Sequence, residues 1–210
     1  MKESLFIAFE GIDGSGKSTQ AHLLVDRLKE EGHRVHATCE PSGGPIGSLI
    51  RNIFSGRIEA DHRTIAGLFV ADRLDHLLNK TNGILKKLEE GYTVVTDRYC
   101  LSSYAYQGTH MPMDWVIEAN SQSTQLLKPD LHVFIDIDPE ESIRRMQAGR
   151  STSDMYENLD NLRKVRENYF LAIDKVKGGE KVVIVDGNLP VDQVAIKVWK
   201  SAAALLNNRP

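Results

Sequence analysis

The nine residues GIDGSGKST, Gly11 to Thr19, lie between an apolar run, SLFIAFE, and a long amphipathic stretch. Few folds accept such a loop between a strand and a helix. Its glycines allow the tight curvature that turns several backbone N–H groups inward, and the helix that follows adds the positive end of its dipole. Gly11 to Ser18 also match the spacing G-x-x-x-x-G-K-[ST], with the strand before and the helix after that the pattern requires. We read residues 11–18 as a phosphate loop. Gly11, Ile12, Asp13, Gly14, Ser15, Gly16, Lys17, Ser18 and Thr19 form the cradle for a nucleoside triphosphate. Lys17 supplies a mobile cation for the β and γ phosphates, and Ser18 offers a hydroxyl to a magnesium ion. Asp13 is an odd companion for phosphate. Either it points outward as a solubilising carboxylate, or it faces an acceptor hydroxyl or a metal-bound water.

Four further runs resemble the first: RVHATCE, YTVVTDR, LHVFIDI and KVVIVDG. Each is short, rich in β-branched or aromatic residues, and closed by a charged residue or glycine. Their near-continuous apolarity, in place of strict alternation, predicts a parallel sheet covered on both faces. Helical spacing is expected over 17–31, 61–79, 114–127, 139–148, 156–177 and 190–206, the last opening at Pro190. Strands alternating with helices give an α/β doubly wound fold, read as one domain over 1–210. Two stretches break the pattern: EPSGGPIG, taken as a loop, and the polar QAGRSTSDMYEN.

Composition sets bounds on partners. The 210 residues carry a formal charge of -3, with 41% hydrophobic and 26% charged residues, so no electrostatic pull toward nucleic acid is expected. Cys39 and Cys100 stand far apart without a CxxC, and the seven histidines show no metal-ligand spacing. No apolar run approaches the ~20 residues that span a bilayer, and MKESLFIAFEG is too short in apolar residues for a signal peptide. A cytoplasmic protein with no membrane association is the expectation.

Chemistry in such a sheet belongs at the carboxyl ends of the strands. There TDRY places Asp97, able to hold magnesium through water, and Arg98, able to grip a phosphate bidentately. The alternative is a surface ion pair. LFVADR sets Phe69 and Arg73 one turn apart, which suits a base-and-phosphate ligand, although a phenylalanine on an apolar stripe is more often core. SSYAYQG supplies Ser103, Tyr106 and Gln107. Gln107 suits paired hydrogen bonds to a base edge, or a plain polar helix end. Arg144, Arg145 and Arg150 form either a solvated surface or a mobile lid over a triphosphate.

Taken together, FEGIDGSGKST, the Glu40–Gly44 loop EPSGG, LFVADR, DRYCLSSYAYQG, KPDLHVFIDIDPE and the arginine-bearing stretch before ENY resemble the thymidylate kinases, over nearly the whole chain. The resemblance implies a P-loop nucleoside monophosphate kinase fold with a five-stranded parallel sheet, helices on both faces and a lid. It further implies a homodimer, ATP as donor, magnesium, and dTMP as acceptor. By position, Phe69 would stack on thymine and Arg73 would contact the base and nearby phosphate. Ser103 and Gln107 would read the thymine edge, and Tyr106 would crowd the 2′ position. Arg98 would bind the acceptor phosphate, Asp13 would face the sugar hydroxyl or the metal, and Tyr169 would lie near the sugar. Glu40 falls in the acceptor region, about 40–110, and the lid covers about 145–157. With Gly14-Ser15 where some members carry an arginine, the chain resembles the lid-arginine class, implying Arg150 as the catalytic arginine and Arg145 against the adenine. Two positions depart from the family pattern: Cys39 replaces an arginine before the Glu-Pro pair, and Met155 replaces one in the lid.

The expected reaction is direct in-line transfer of the ATP γ-phosphate to dTMP, without a covalent enzyme intermediate. A kinase for another acceptor such as dUMP is the nearest alternative. A nucleotide-dependent regulator is the alternative from another class, although NKTN at 79–82 lacks the aspartate of a guanine-reading N-K-x-D.

Overall fold

The computed structural model describes residues 4–149 and 158–207. Five strands form one parallel sheet: β1 (Phe6–Glu10), β2 (Val35–Cys39), β3 (Thr93–Asp97), β4 (Leu131–Asp136) and β5 (Val182–Asp186), in the order β2-β3-β1-β4-β5. All five lie within the apolar runs expected to form them. Every pairing is parallel. β1 therefore sits at the centre, where its five residues are buried on both faces.

Alternation along β1 divides the core. Phe6 and Ala8 enter one cluster with Phe134, Tyr99, Leu162 and Tyr169, while Leu5, Ile7 and Phe9 enter another with Leu24, Leu28, Val133 and Val198. The second cluster lies under α1 (Lys17–Glu30) and α10 (Val191–Asn207), which pack on each other. The first is covered by α2 (Pro45–Phe54), α3 (His62–Leu78), α4 (Ile84–Glu89), α5 (Cys100–Tyr106), α6 (Met113–Ala119) and α9 (Leu159–Val176), with α7 (Ser121–Leu126) packed beside α3. α8 (Pro139–Gly149) follows β4 and reaches over the phosphate loop.

Three of the differences from the sequence expectation trace to particular residues. The stretch read as a loop at EPSGGPIG ends at Gly44, because Pro45 opens α2 at its first helical position. The single helix expected over 114–127 is two, α6 and α7, which meet at Asn120. α4 went unread; it is six residues long and no side chain caps its N-cap, Gly83. The final helix is as expected, one residue displaced at each end.

Candidate active site

Register brings Asp97, Arg98 and the loop after β1 together at the carboxyl end of the sheet. Phe9 pairs with Asp97, and Cys39 pairs with Asp97 on its other side, so the loop leaving β1 lies beside the end of β3. The Ser18 hydroxyl donates to Asp97 Oδ2. Asp97 Oδ1 is buried with no partner among the described residues. A hydroxyl beside a carboxylate with a spare oxygen is a donor set that suits a hard divalent cation with its remaining positions held by water. Among the described residues no group of three or more His, Cys, Asp or Glu comes together for a metal.

The phosphate loop closes tightly on its neighbours. Gly14 has φ +73°, and a Cβ there would lie 2.7 Å from the Ser142 carbonyl oxygen of α8. Ser142 in turn donates its hydroxyl to the Asp13 carbonyl. Only glycine meets both demands. Lys17, 6% exposed, lies at the first position of α1. Burial pulls its amine below the ordinary lysine range, and Arg98 adds to that pull, opposed by Asp13 and Asp97.

Beside this loop opens a cavity of about 750 Å³, walled by residues 13–20, by Arg144, Arg145 and Met146 of α8, and by Gly187 to Val191 after β5. Arg145 donates to Glu141 (2.7 Å) and to the Gly187 carbonyl (3.0 Å), bridging α8 to the end of β5. Residues 187–190 escaped the sequence reading, although their place after a strand end was a signal for them.

A second cavity, about 390 Å³, opens on the other side of Asp13. Its walls hold Glu40, Phe69, Arg73, Arg98, Ser103, Tyr106 and Gln107, all expected, together with Pro41, Arg51, Phe54, Ser55 and Ser102. Phe69 is half-buried and tilted against Phe54 at 5.9 Å, so its ring belongs to the cavity wall instead of the core. Gln107 is buried, and its Oε1 has no partner among the described residues. Of the residues missed by sequence, Phe54 lies at the last turn of α2, the helix whose opening was masked by the glycines before Pro45.

Arg73 is less free than its spacing suggested. Its Nε and Nη2 donate to Glu40 Oε2 at 2.9 and 2.6 Å, Nη2 reaches Ser103 Oγ at 3.1 Å, and Nη1 donates to Asn120. Burial pushes the Glu40 carboxyl up, but Arg73 and the His76 ring bring it below the ordinary carboxylate range. Asp72 braces the same loop, taking the Ser42 N–H and hydroxyl at 2.6 Å each.

Between the cavities stands Asp13. It pairs with Arg98, accepts the Tyr106 hydroxyl at 2.8 Å, and lies 3.7 Å from Lys17. Burial alone would raise its pKa; the charges of Arg98 and Lys17, with the Tyr106 bond, hold it at about 2. The Asp13 carboxylate is thus turned toward Arg98, Tyr106 and Lys17. Tyr169 is placed differently from the other expected acceptor residues: fully buried behind Arg98, its hydroxyl 2.8 Å from Ser102 Oγ and 3.5 Å from Arg98 Nη1. Arg150, and Asp154 to Glu157 of the expected lid, lie outside the described residues.

A family model for thymidylate kinase matches residues 9–198. The chain belongs to the thymidylate kinase family. A probable thymidylate kinase of Pyrobaculum calidifontis is 39% identical over 192 residues, 91% of this chain and 92% of that protein. A thymidylate kinase of Caldicellulosiruptor saccharolyticus is 38% identical over 208 residues, 97% of this chain and 98% of that protein. One of Staphylothermus marinus, also described as probable, is 37% identical over 196 residues. Thymidylate kinases are nucleoside monophosphate kinases, and a loop for one nucleotide with a separate cavity for another is the arrangement such transferases need.

Proposed function

We propose that this protein transfers the γ-phosphate of ATP to dTMP, giving dTDP. Support comes chiefly from Asp13, Lys17 and Arg98: a cation for donor phosphates and a cation for an acceptor phosphate face each other across one carboxylate. The acceptor base enters the smaller cavity, with its ring against Phe69 and its edge toward Ser103 and Gln107. Tyr106 closes the sugar side, against Asp13. Glu40 and Arg73 hold the wall, and Tyr169 supports Arg98 from behind. Donor phosphates lie on residues 11–19, and the adenine enters beside Arg145.

An acceptor phosphate oxygen attacks the γ phosphorus in line while the bond to the bridging oxygen breaks, so ADP leaves and no enzyme group is phosphorylated. The attacking oxygen is already anionic and needs no strong base. Positioning and charge neutralisation by Lys17 and Arg98, with Arg150 from the lid, lower the barrier. Ser18 and Asp97 would hold Mg2+ near the donor, which supplies further charge neutralisation when bound. We further propose a single kinase domain over 1–210, a homodimer and a cytoplasmic location.

ADP release with ATP and Mg2+ tests the reading, adding dTMP, dUMP, dCMP, dGMP, AMP or no acceptor in turn. Release that depends on dTMP, with dUMP weaker, supports it. Acceptor-independent release, or preference for another nucleotide, overturns the assignment of the smaller cavity. Sedimentation at a mass twice that of the chain would support the dimer.

A further inference from the structure

Arg98 carries a backbone cost. With φ 75° it is the one non-glycine residue at positive φ among the described residues. A side chain in that region is disfavoured, so the surroundings must impose it. Within the turn the Thr96 hydroxyl donates to the Arg98 carbonyl (3.0 Å), and the rest of the hold comes from outside it. Arg98 N–H donates to the Phe9 carbonyl (2.8 Å), and Tyr99 N–H, the next donor along, is taken by Glu10 Oε1 at 3.0 Å.

Glu10 is the last residue of β1 and is fully buried. Its other oxygen accepts the Ser102 hydroxyl at 2.5 Å and the Tyr169 hydroxyl at 3.4 Å. Both hydroxyls stand directly behind the Arg98 guanidinium, 3.2 and 3.5 Å from its Nη1. Each group that hydrogen-bonds the Glu10 carboxylate is therefore either the peptide beside Arg98 or a support for its side chain. α5 begins here without a side-chain cap from its own N-cap residue, Tyr99, whose backbone N–H is instead satisfied by Glu10 of β1. Nothing in the phosphate-binding assignment uses this carboxyl. Burying it is costly, and burial raises its pKa. A buried carboxyl surrounded by contacts to one arginine's turn is explained if holding that arginine is what it does.

We propose that Glu10 is a positioning residue for the acceptor phosphate: through Tyr99 N–H, Ser102 and Tyr169 it fixes the left-handed turn that aims Arg98 into the smaller cavity. The inference rests on the reading of that cavity as a nucleoside monophosphate site. It deepens that reading by adding a residue that touches no substrate.

Calorimetric titration of E10Q with dTMP, with thymidine and with ATP tests it. Gln preserves the volume and one acceptor, but cannot serve all three donors as acceptor. Loss of one charge-assisted contact predicts a drop in dTMP affinity on the order of tenfold, with thymidine and ATP within about twofold of wild type. In an R98A background the same substitution changes dTMP affinity by less than about twofold, because the group it positions is gone. Equal losses for dTMP and thymidine, or a full loss persisting without Arg98, would overturn the proposal in favour of simple packing. If E10Q does not fold, S102A removes one support while leaving the carboxyl, and the same phosphate-selective loss is expected. Wild-type protein that binds dTMP no better than thymidine would show instead that the acceptor reading itself is wrong.

Discussion

Asp13 holds Arg98 and Tyr106 while standing 3.7 Å from Lys17, so its ionisation affects both halves of the site. A carboxyl held at about 2 in the fold, against 3.8 when free, favours folding at pH values above the free value and ceases to do so as pH falls through about 2. The difference in unfolding free energy between wild type and D13N is therefore expected to shrink between about pH 5 and pH 2, measured by denaturant titration. For chemistry, K17A and R98A are each expected to cost on the order of 10²-fold in single-turnover rate, the loss of one well-placed electrostatic donor. Near-normal turnover by both would sink the assignment. Arg73 poses a different case. Because its guanidinium and Glu40 are both buried, E40A strands a charge and is expected to destabilise the fold by about 3–5 kcal/mol, read as a shift in denaturation midpoint.

The phosphate loop and α8 are packed too closely to vary independently. G14A would meet the Ser142 carbonyl and force a left-handed alanine, about 1–2 kcal/mol from the backbone alone. The expected outcome is lower stability and weaker ATP binding together, seen by melting and by titration. The strands were legible because buried parallel strands read as unbroken apolar runs, and the phosphate loop because its spacing is set by the anion. What escaped is what depends on distant partners. α5 has its start fixed by Glu10, some ninety residues earlier. The break between α6 and α7 occurs at Asn120, whose side chain accepts a bond from Arg73 and donates to Val116. Phe69 is apolar whether it faces core or cavity, and only the packing of α2 against α3 decides which.

Across the molecule, each of the two cavities is bordered by its own set of helices. α1, α8 and the start of α10 flank the larger cavity, while α2, α3 and α5 line the smaller one. Phe134, buried in β4 with its ring 4.9 Å from Tyr169, ties the core to the acceptor side. F134A is expected to cost roughly 3–5 kcal/mol and to weaken dTMP binding more than ATP binding. A uniform loss, by melting and paired titrations, would argue that the layers are not mechanically separate. The two cations on either side of Asp13 follow neighbouring strands: Lys17 opens α1 after the loop that leaves β1, and Arg98 comes directly after β3. Adjacent strands are ~4.8 Å apart in any sheet, a spacing fixed by the hydrogen bond. The separation of the two strand ends from which the chain runs on to Lys17 and Arg98 is thus graduated by the backbone itself. Side chains can be exchanged around this ruler, but none of them can lengthen it.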